Sequence, residues 1–484
     1  MTTLPHFQAS FTLQELIDAT QATVTVKHDD FQLNTPAYTV STDSRTLQSG
    51  QVFLPLVGES FDGHRFLDQL DTHGVSIAVC SKAYATLNLD KIKKLTTLTL
   101  LLVDDTLEAY QAIARFHRRR LTKTTIIGLT GSSGKTTMKD YLRQILCHQF
   151  TTQATLKNYN NDVGVPQTLL SIAPETEVAI IEMGMRGLGE IRRLSKTAEP
   201  DIAMLINVGP AHIERLGTLD NIIKAKCEIL DGLKPEGIFI SNGDDEPLQD
   251  RLSRRGVKEG QTHIRYCFAD TSSIEPLPDA RARFTVEGVT METPLPGRHQ
   301  VSNVLGALKV AKQLGMSGEA VAEALKQYDV QEGRFERVDL GNGHSLINDA
   351  YNANPASMHA SLSAFLASAP HPENARRVLI LGSMKELGNY SRGYHHELVE
   401  GMCKLHLEKV AVVAFVGTEY DGIPISISGP SPSMIMQAST ENLISRLFDM
   451  LNPQDGPLEF YLKGSRSHAL ETLIPRLKES LKAH

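Results

Sequence analysis

Residues 124–146, TTIIGLTGSSGKTTMKDYLRQIL, restrict the fold of this chain more than any other stretch. The β-branched run Thr124 to Ile127 predicts a buried parallel strand that breaks at Gly128 and a Gly/Ser loop. Apolar residues then return at helical spacing through Met138, Tyr141, Leu142, Ile145 and Leu146. Strand, glycine loop, Lys-Thr and helix form the P-loop order. In it, the amides of Gly131, Ser132, Ser133 and Gly134 and the first helical residues through Thr137 face phosphates. Lys135 adds a point charge and the Thr136 hydroxyl can ligate Mg²⁺. The strict pattern asks for glycine at position 129, where this chain has Leu129. A Gly-Ser loop can also be a plain tight turn, but the strand-to-helix context predicts binding of a nucleoside triphosphate with Mg²⁺.

Composition narrows the class. A chain of 484 residues exceeds one ordinary core, and domains of ~100–200 residues predict about three. A formal charge of −7 argues against coating a phosphate backbone, and the lack of Trp argues against base-stacking surfaces, so no nucleic-acid partner is expected. Cys80, Cys147, Cys227, Cys267 and Cys403 include no C-x-x-C pair, which predicts neither a disulfide frame nor a zinc site and fits a reducing cytoplasm. No basic-then-apolar leader and no run of ~20 apolar residues is evident, so no membrane insertion is expected.

Along the chain, residues 1–120 alternate short strands and polar turns, with a helix expected over Phe11–Ala19 and strands over Thr39–Asp43 and Val75–Val79. On their own, Ser44, Arg45 and His64 read as turn and surface residues. Leu107–Arg120 predicts a helix whose terminal Arg118-Arg119-Arg120 complements its dipole at a domain linker. Residues 121–330 carry the loop and then the strands Val178–Glu182 and Asp201–Val208. These put Glu182 and His212 at the carboxyl ends of a parallel sheet, where ligands bind. By position alone each could equally be structural, as a capping carboxylate and a hydrogen-bonded loop histidine. A helix over Ile222–Leu230 carries Lys224 and Lys226, by default a solvated face. Residues 331–484 alternate strands and helices again, with a Pro/Ser/Gly-rich loop near 427–433, which predicts a doubly wound α/β sheet.

Several segments share one further property. DSR (43–45), Gly58, DGH (62–64), TGSSGKTT, KNYNNDVGVPQTLL, IEMGMRGLGEI, NVGPAHIERLGT, PGRHQ, NDAYNANPASM and YLKGSR occur in that order. Together they resemble the Mur ligases of peptidoglycan synthesis over nearly the whole chain. The resemblance implies an α/β, three-domain architecture: an N-terminal uridine-nucleotide domain (1–120), a central P-loop ATPase-like parallel sheet (121–330) and a C-terminal Rossmann-like domain (331–484). It implies an ATP- and Mg²⁺-dependent ligase that activates a carboxylate as an acyl phosphate for attack by an amine. Within the family it points to the member that joins D-alanyl-D-alanine to UDP-N-acetylmuramoyl-tripeptide, acting as a monomer. A sister ligase adding the third amino acid would carry a DNPR motif, which this chain lacks. Folylpolyglutamate synthase and a P-loop regulatory ATPase without ligase activity are the other readings.

The resemblance also distributes roles. Lys135 would hold phosphates, Thr136 and Glu182 one Mg²⁺, and His212 a second. Lys226 matches the lysine that several Mur ligases carbamylate. Asn303 would lie at adenine, and Arg334, Asp349 and Asn352 at phosphate and ribose. Ser44, Arg45, Asp62 and His64 would bind the uridine nucleotide. Asn160, Asn161, Lys463, Ser465 and Arg466 would serve the substrate side of the closed site. Gln300 and Ser383 stand where the family often has Asn and Asp.

Overall fold

The structure, a computed structural model, describes residues 7–25, 38–95, 98–402, 405, 407–424, 433–437 and 439–483. Cys403 and most of the Pro/Ser/Gly-rich loop expected near 427–433 lie outside them. Three six-stranded sheets follow one another along the chain, each layered with helices. The α/β class expected from alternating strands and helices holds throughout.

The second sheet is wholly parallel. Its order is Thr152–Ala154, Val178–Glu182, Thr125–Thr130, Ile202–Leu205, Ile238–Asn242 and Thr262–Tyr266. The P-loop strand is therefore central, with Ile126, Ile127 and Leu129 fully buried between helices on both faces. Leu129 is thus a core strand residue, which is why the departure from glycine there leaves the loop intact. The helix Lys135–Leu146 buries Met138, Tyr141, Leu142, Ile145 and Leu146, the face its spacing predicts. Truncating one of them, as in Leu142→Ala, should cost about 2–5 kcal/mol. Gly134 caps this helix at φ 73°, a left-handed value that favours glycine.

The first sheet is mixed, with the parallel strands Tyr38–Ser41, Gln51–Phe53, Ile77–Ser81 and Thr99–Val103 flanked by antiparallel edges. The helix expected from Phe11 starts later, at Leu13, because Thr12 and Glu15 form a capping box there. The third sheet runs Glu336–Gly341, His344–Asn348, Leu458–Lys463, Arg376–Gly382, Val410–Val416 and Ser433–Gln437, antiparallel only at its first edge.

The arginine run at 118–120 is a solvated helix end only at Arg119 and Arg120. Arg118 is 2% exposed. Its guanidinium donates to Asp201 Oδ2 at 2.7 Å and to the carbonyls of Ala198 (3.0 Å) and Glu199 (3.1 Å). It thereby satisfies the C-terminal carbonyls of the helix Glu190–Ala198, while Arg119 pairs with Glu199. The run stitches the first sheet's last helix to the second sheet. The helix expected over Ile222–Leu230 is an α-helix at Leu219–Cys227 that tightens into a 3₁₀ turn at Glu228–Asp231. No helix among the described residues is long and apolar enough to cross a membrane.

Candidate active site

The carboxyl ends of the second sheet's strands converge on the carbonyl of Gly131. Lys135 Nζ donates to it at 2.9 Å and Lys226 Nζ at 2.8 Å. Lys226 is 1% exposed, so the solvated face expected of that helix is wrong for this residue. The pair was unreadable locally because it closes between residues 131 and 226. Burial pulls the Lys226 ammonium well below the usual lysine range, and neighbouring Lys135 pushes it further. Lys135 sits deep in the cleft though partly open to solvent. Burial lowers its pKa, Glu182 opposes the shift and Arg334 adds to it. Two lysine amines on one carbonyl, with little counter-charge to Lys135, form a site prepared for an anion.

Glu182 ends its strand 2% exposed. Its Oε1 accepts from Asn160 Nδ2 at 2.7 Å, while Oε2 is buried with no partner. Arg334, whose guanidinium lies 4.0 Å from the Tyr351 ring centroid, likewise has a buried Nε without a partner. A buried carboxylate oxygen and a buried guanidinium nitrogen left unpaired beside Lys135 fit a bound metal and phosphate. No set of three or more His, Cys, Asp or Glu side chains converges as a ready metal cage among the described residues. Mg²⁺ takes few protein oxygens and completes its shell with phosphate and water. Thr136 and Glu182 carry hard oxygens that could hold it.

Asn207, which sequence reasoning passed over, braces the loop. Its Oδ1 accepts from the amides of Ser132 (3.1 Å) and Ser133 (2.9 Å), and its Nδ2 donates to Ser133 O at 3.0 Å. These two amides therefore point inward, against the expectation that they face phosphates. The free donors lie at the helix start, among Lys135, Thr136 and Thr137. The missed signal was an asparagine two residues past the strand Ile202–Leu205. Asn303 lies beneath Gly134, held by Gln300 Oε1 at 3.0 Å, which also accepts from Tyr141 at 2.9 Å. Gln300 thus fixes the orientation of Asn303. His212 lies at the far side of the cleft, with Nδ1 2.8 Å from Glu386 Oε2.

Other expected site residues are committed elsewhere. Asp349 and Lys463 are placed against each other at 2.7 Å, both buried, and Asp349 also accepts from Tyr461, Ser361 and the Phe335 amide. Asn161 caps the helix Gly164–Leu170 through the Val163 and Gly164 amides. Ser465 accepts from the Lys385 amide at 2.9 Å, Arg466 pairs with Glu471, and Asn352 accepts from the Ala353 amide. In the first sheet His64 is 1% exposed: Nδ1 meets Asp62 at 2.6 Å, Nε2 accepts from the Ser81 amide, and Tyr84 stacks on the ring. Both nitrogens are in use, so the histidine positions Asp62 and faces no ligand itself. Ser44 is half-buried and Arg45 exposed. Arg45 folds back bidentately on Asp43, holding its carboxyl at about 2.

Family models match in chain order: Mur ligase family, catalytic domain, over residues 36–118; Mur ligase middle domain over 129–311; and Mur ligase, glutamate ligase domain, over 333–456. The chain belongs to the Mur ligase family. It is 34% identical over 467 residues, 96% of its length and 97% of the relative's, to the UDP-N-acetylmuramoyl-tripeptide–D-alanyl-D-alanine ligase of Synechocystis. Among solved structures it superposes on MurF from Acinetobacter baumannii with a TM-score of 0.84 at 30% identity, covering 98% of this chain and 99% of that one. It also matches MurF ligase from Thermotoga maritima in complex with ADP, with a TM-score of 0.76 at 25% identity over 92% and 98% of the two chains.

Proposed function

We propose that this protein joins D-alanyl-D-alanine to UDP-N-acetylmuramoyl-tripeptide in the cytoplasm, consuming ATP and releasing ADP and phosphate. The observation that carries the chemistry is the convergence of Lys135 and Lys226 on Gly131 beside the unpaired Glu182 Oε2. The near full-length likeness to ligases of that name supports the substrate. We take residues 1–120, 121–330 and 331–484 as the uridine-nucleotide, ATP-binding and Rossmann-like domains.

A carboxylate is a poor electrophile with a poor leaving group. Transfer of the γ-phosphoryl of ATP to the tripeptide carboxylate oxygen forms an acyl phosphate and ADP. The dipeptide amine then attacks the carbonyl carbon, the C–O bond to phosphate breaks, and the amine loses a proton as the amide forms. Little covalent work falls to the protein; it positions and neutralises. The amides of Lys135, Thr136 and Thr137 and the Lys135 ammonium would hold the phosphates, with Arg334 reaching in from the third sheet. Mg²⁺ held by Thr136 and Glu182, with His212 as ligand to a second ion, would offset the charge gathered between nucleotide and carboxylate. Asn160 orients Glu182, and Asn303, fixed by Gln300, would face adenine. Burial favours the neutral amine of Lys226, the form that can take up CO₂ as a carbamate. Ser44, Arg45 and Asp62, with His64 behind them, would receive the uridine nucleotide.

The test incubates protein, ATP and Mg²⁺ with UDP-muramyl dipeptide or tripeptide, offers single amino acids or D-alanyl-D-alanine, and weighs the products. Mass gain on the tripeptide with the dipeptide amine is expected. Gain only on the dipeptide nucleotide with a single amino acid would move the protein to the sister activity.

A further inference from the structure

His212 stands on a strained backbone, and so does the residue that meets it. His212 has φ 62° and Glu386 has φ 64°. Left-handed backbone at a non-glycine residue is costly and persists where the surroundings over-determine it. Here two such residues, from the second and third sheets, face each other with Glu386 Oε2 2.8 Å from His212 Nδ1. The backbone around them is docked as well. The Glu214 amide donates to Glu386 O at 3.4 Å, and Tyr390 donates to Gly217 O at 3.1 Å. A Cβ on Gly388 would fall 2.8 Å from Glu214 Cγ, so the approach admits only glycine there.

On its other side the segment is anchored to the third sheet. The Met384 amide donates to His395 Nε2 at 2.9 Å, the Lys385 amide donates to Ser465 Oγ at 2.9 Å, and the Lys385 side chain pairs with Glu419. Glu386 is thus a fixed projection of the third sheet into the second sheet's cleft. Arg186 and Arg215 also face its carboxylate.

We propose that Glu386 is the positioning residue for His212. By accepting from Nδ1–H it fixes the tautomer and ring plane that leave Nε2 to a metal at the γ-phosphate, and it does so only while the third sheet is docked. The metal site is thereby completed by docking, which couples ligand occupancy of the cleft to closure. The inference rests on the reading of His212 as a Mg²⁺ ligand in the proposed ligase. Partners of this kind orient metal-binding histidines, and their loss costs about 10–100-fold in affinity or activity.

The test uses the full chain with Glu386→Gln, Glu386→Gly, His212→Ala and the Glu386→Gln/His212→Ala double variant. Glycine adopts φ 64° without strain, so Glu386→Gly removes the carboxylate while relieving the backbone. Both Glu386 variants should lower kcat about 10–100-fold with KM for the uridine nucleotide unchanged, and should raise the Mg²⁺ needed for half-maximal rate. In the double variant Glu386→Gln should add nothing to the His212→Ala loss. Independently of turnover, calorimetry with a non-hydrolysable ATP analogue and the tripeptide nucleotide should show the Mg²⁺-dependent gain in affinity reduced about 10-fold or more. Thermal midpoints should match wild type or, for glycine, exceed it. Unchanged Mg²⁺ dependence, additive losses in the double variant, or a loss of activity that tracks lost thermal stability would overturn the proposal. A wild-type protein inactive on the tripeptide would instead overturn the substrate reading, and the calorimetric comparison, run with the analogue alone, would still decide the role of Glu386.

Discussion

The carboxyl edges of the second and third sheets both close rows of parallel strands and differ in what they leave unfinished. At the second, Lys135 and Lys226 crowd one carbonyl while Glu182 Oε2 and Arg334 Nε have no partner. At the third, Lys463 and Asp349 meet at 2.7 Å inside a shell of Ser361, Tyr461 and the Phe335 amide. Both sites are buried and charged. The Asp349–Lys463 pair is satisfied within the protein, whereas Glu182 Oε2 and Arg334 Nε are not and fit completion by a ligand. Burial of charge therefore does not identify function, and neither does a missing partner alone, since Glu419 Oε2 and Glu471 Oε2 also lack one; at the second edge it is the unpaired carboxylate beside two lysines on one carbonyl that does.

The largest expected effect would break that contrast if it failed. Lys463→Met leaves Asp349 buried and unpaired, so unfolding by denaturant should show a loss of about 3–5 kcal/mol. The Lys463→Met/Asp349→Leu double variant should recover much of it. A stable but inactive Lys463→Met would instead make the third edge a ligand site. Lys135→Ala should do the reverse at the second edge: ligation measured by ADP release falls about 10²–10³-fold, with the circular dichroism and thermal midpoint retained. More than about a tenth of the activity remaining, a deficit under ~1.4 kcal/mol, would remove Lys135 from the phosphate site.

The second edge was legible where its causes are local. The run Thr124–Leu146 encodes strand, loop and helix by adjacent residues, and the buried face of that helix follows from its spacing. Glu182 and His212 could be nominated because strand ends are ligand sites in parallel sheets. Lys226 was misread because charge on a helix is solvated unless a distant segment covers it, and its cover, Gly131, lies tens of residues away; the pairing of Arg118 with Asp201 was equally out of local reach. Asp349 with Lys463, and His212 with Glu386, are pairings across more than a hundred residues that no periodicity records. The inward turn of the Ser132 and Ser133 amides depends on Asn207, in the loop after a neighbouring strand, and was equally invisible.

Lys226→Met sharpens the contrast from the stability side. A buried ammonium without a counter-charge opposes folding, so at neutral pH the variant should be more stable by about 1–3 kcal/mol while inactive. The sign with pH follows from the depressed folded-state pKa. Between that lowered value and the unfolded lysine value of ~10.4, the unfolded chain binds more protons, so wild-type stability rises with pH. The advantage of Lys226→Met should be greatest below the window and vanish above about pH 10.4. Lys135, also depressed, leaves a smaller slope of the same sign in the variant. Denaturant titrations from pH 6 upward would check it, and a variant less stable than wild type would show that Lys226 is structurally satisfied.

The smallest effect is expected at the first sheet, where Arg45 is exposed and its partner Asp43 lies in the same turn. An exposed pair two residues apart adds little to the fold, so Arg45→Ala should leave the thermal midpoint unchanged. What the side chain offers is a planar fork of donors matched to paired phosphate oxygens, lent to Asp43 until a diphosphate replaces it. Contacts to the remote uridine end are made equally in ground and transition states. Arg45→Ala should therefore raise KM for UDP-muramyl tripeptide about 10-fold with kcat unchanged, and Arg45→Lys should recover part of it. Asp43→Asn, which frees the fork, should leave that KM equal or lower. A fall in kcat with KM unaltered would detach Arg45 from the nucleotide and make the bidentate turn a structural feature, like the Asp349–Lys463 pair of the third sheet.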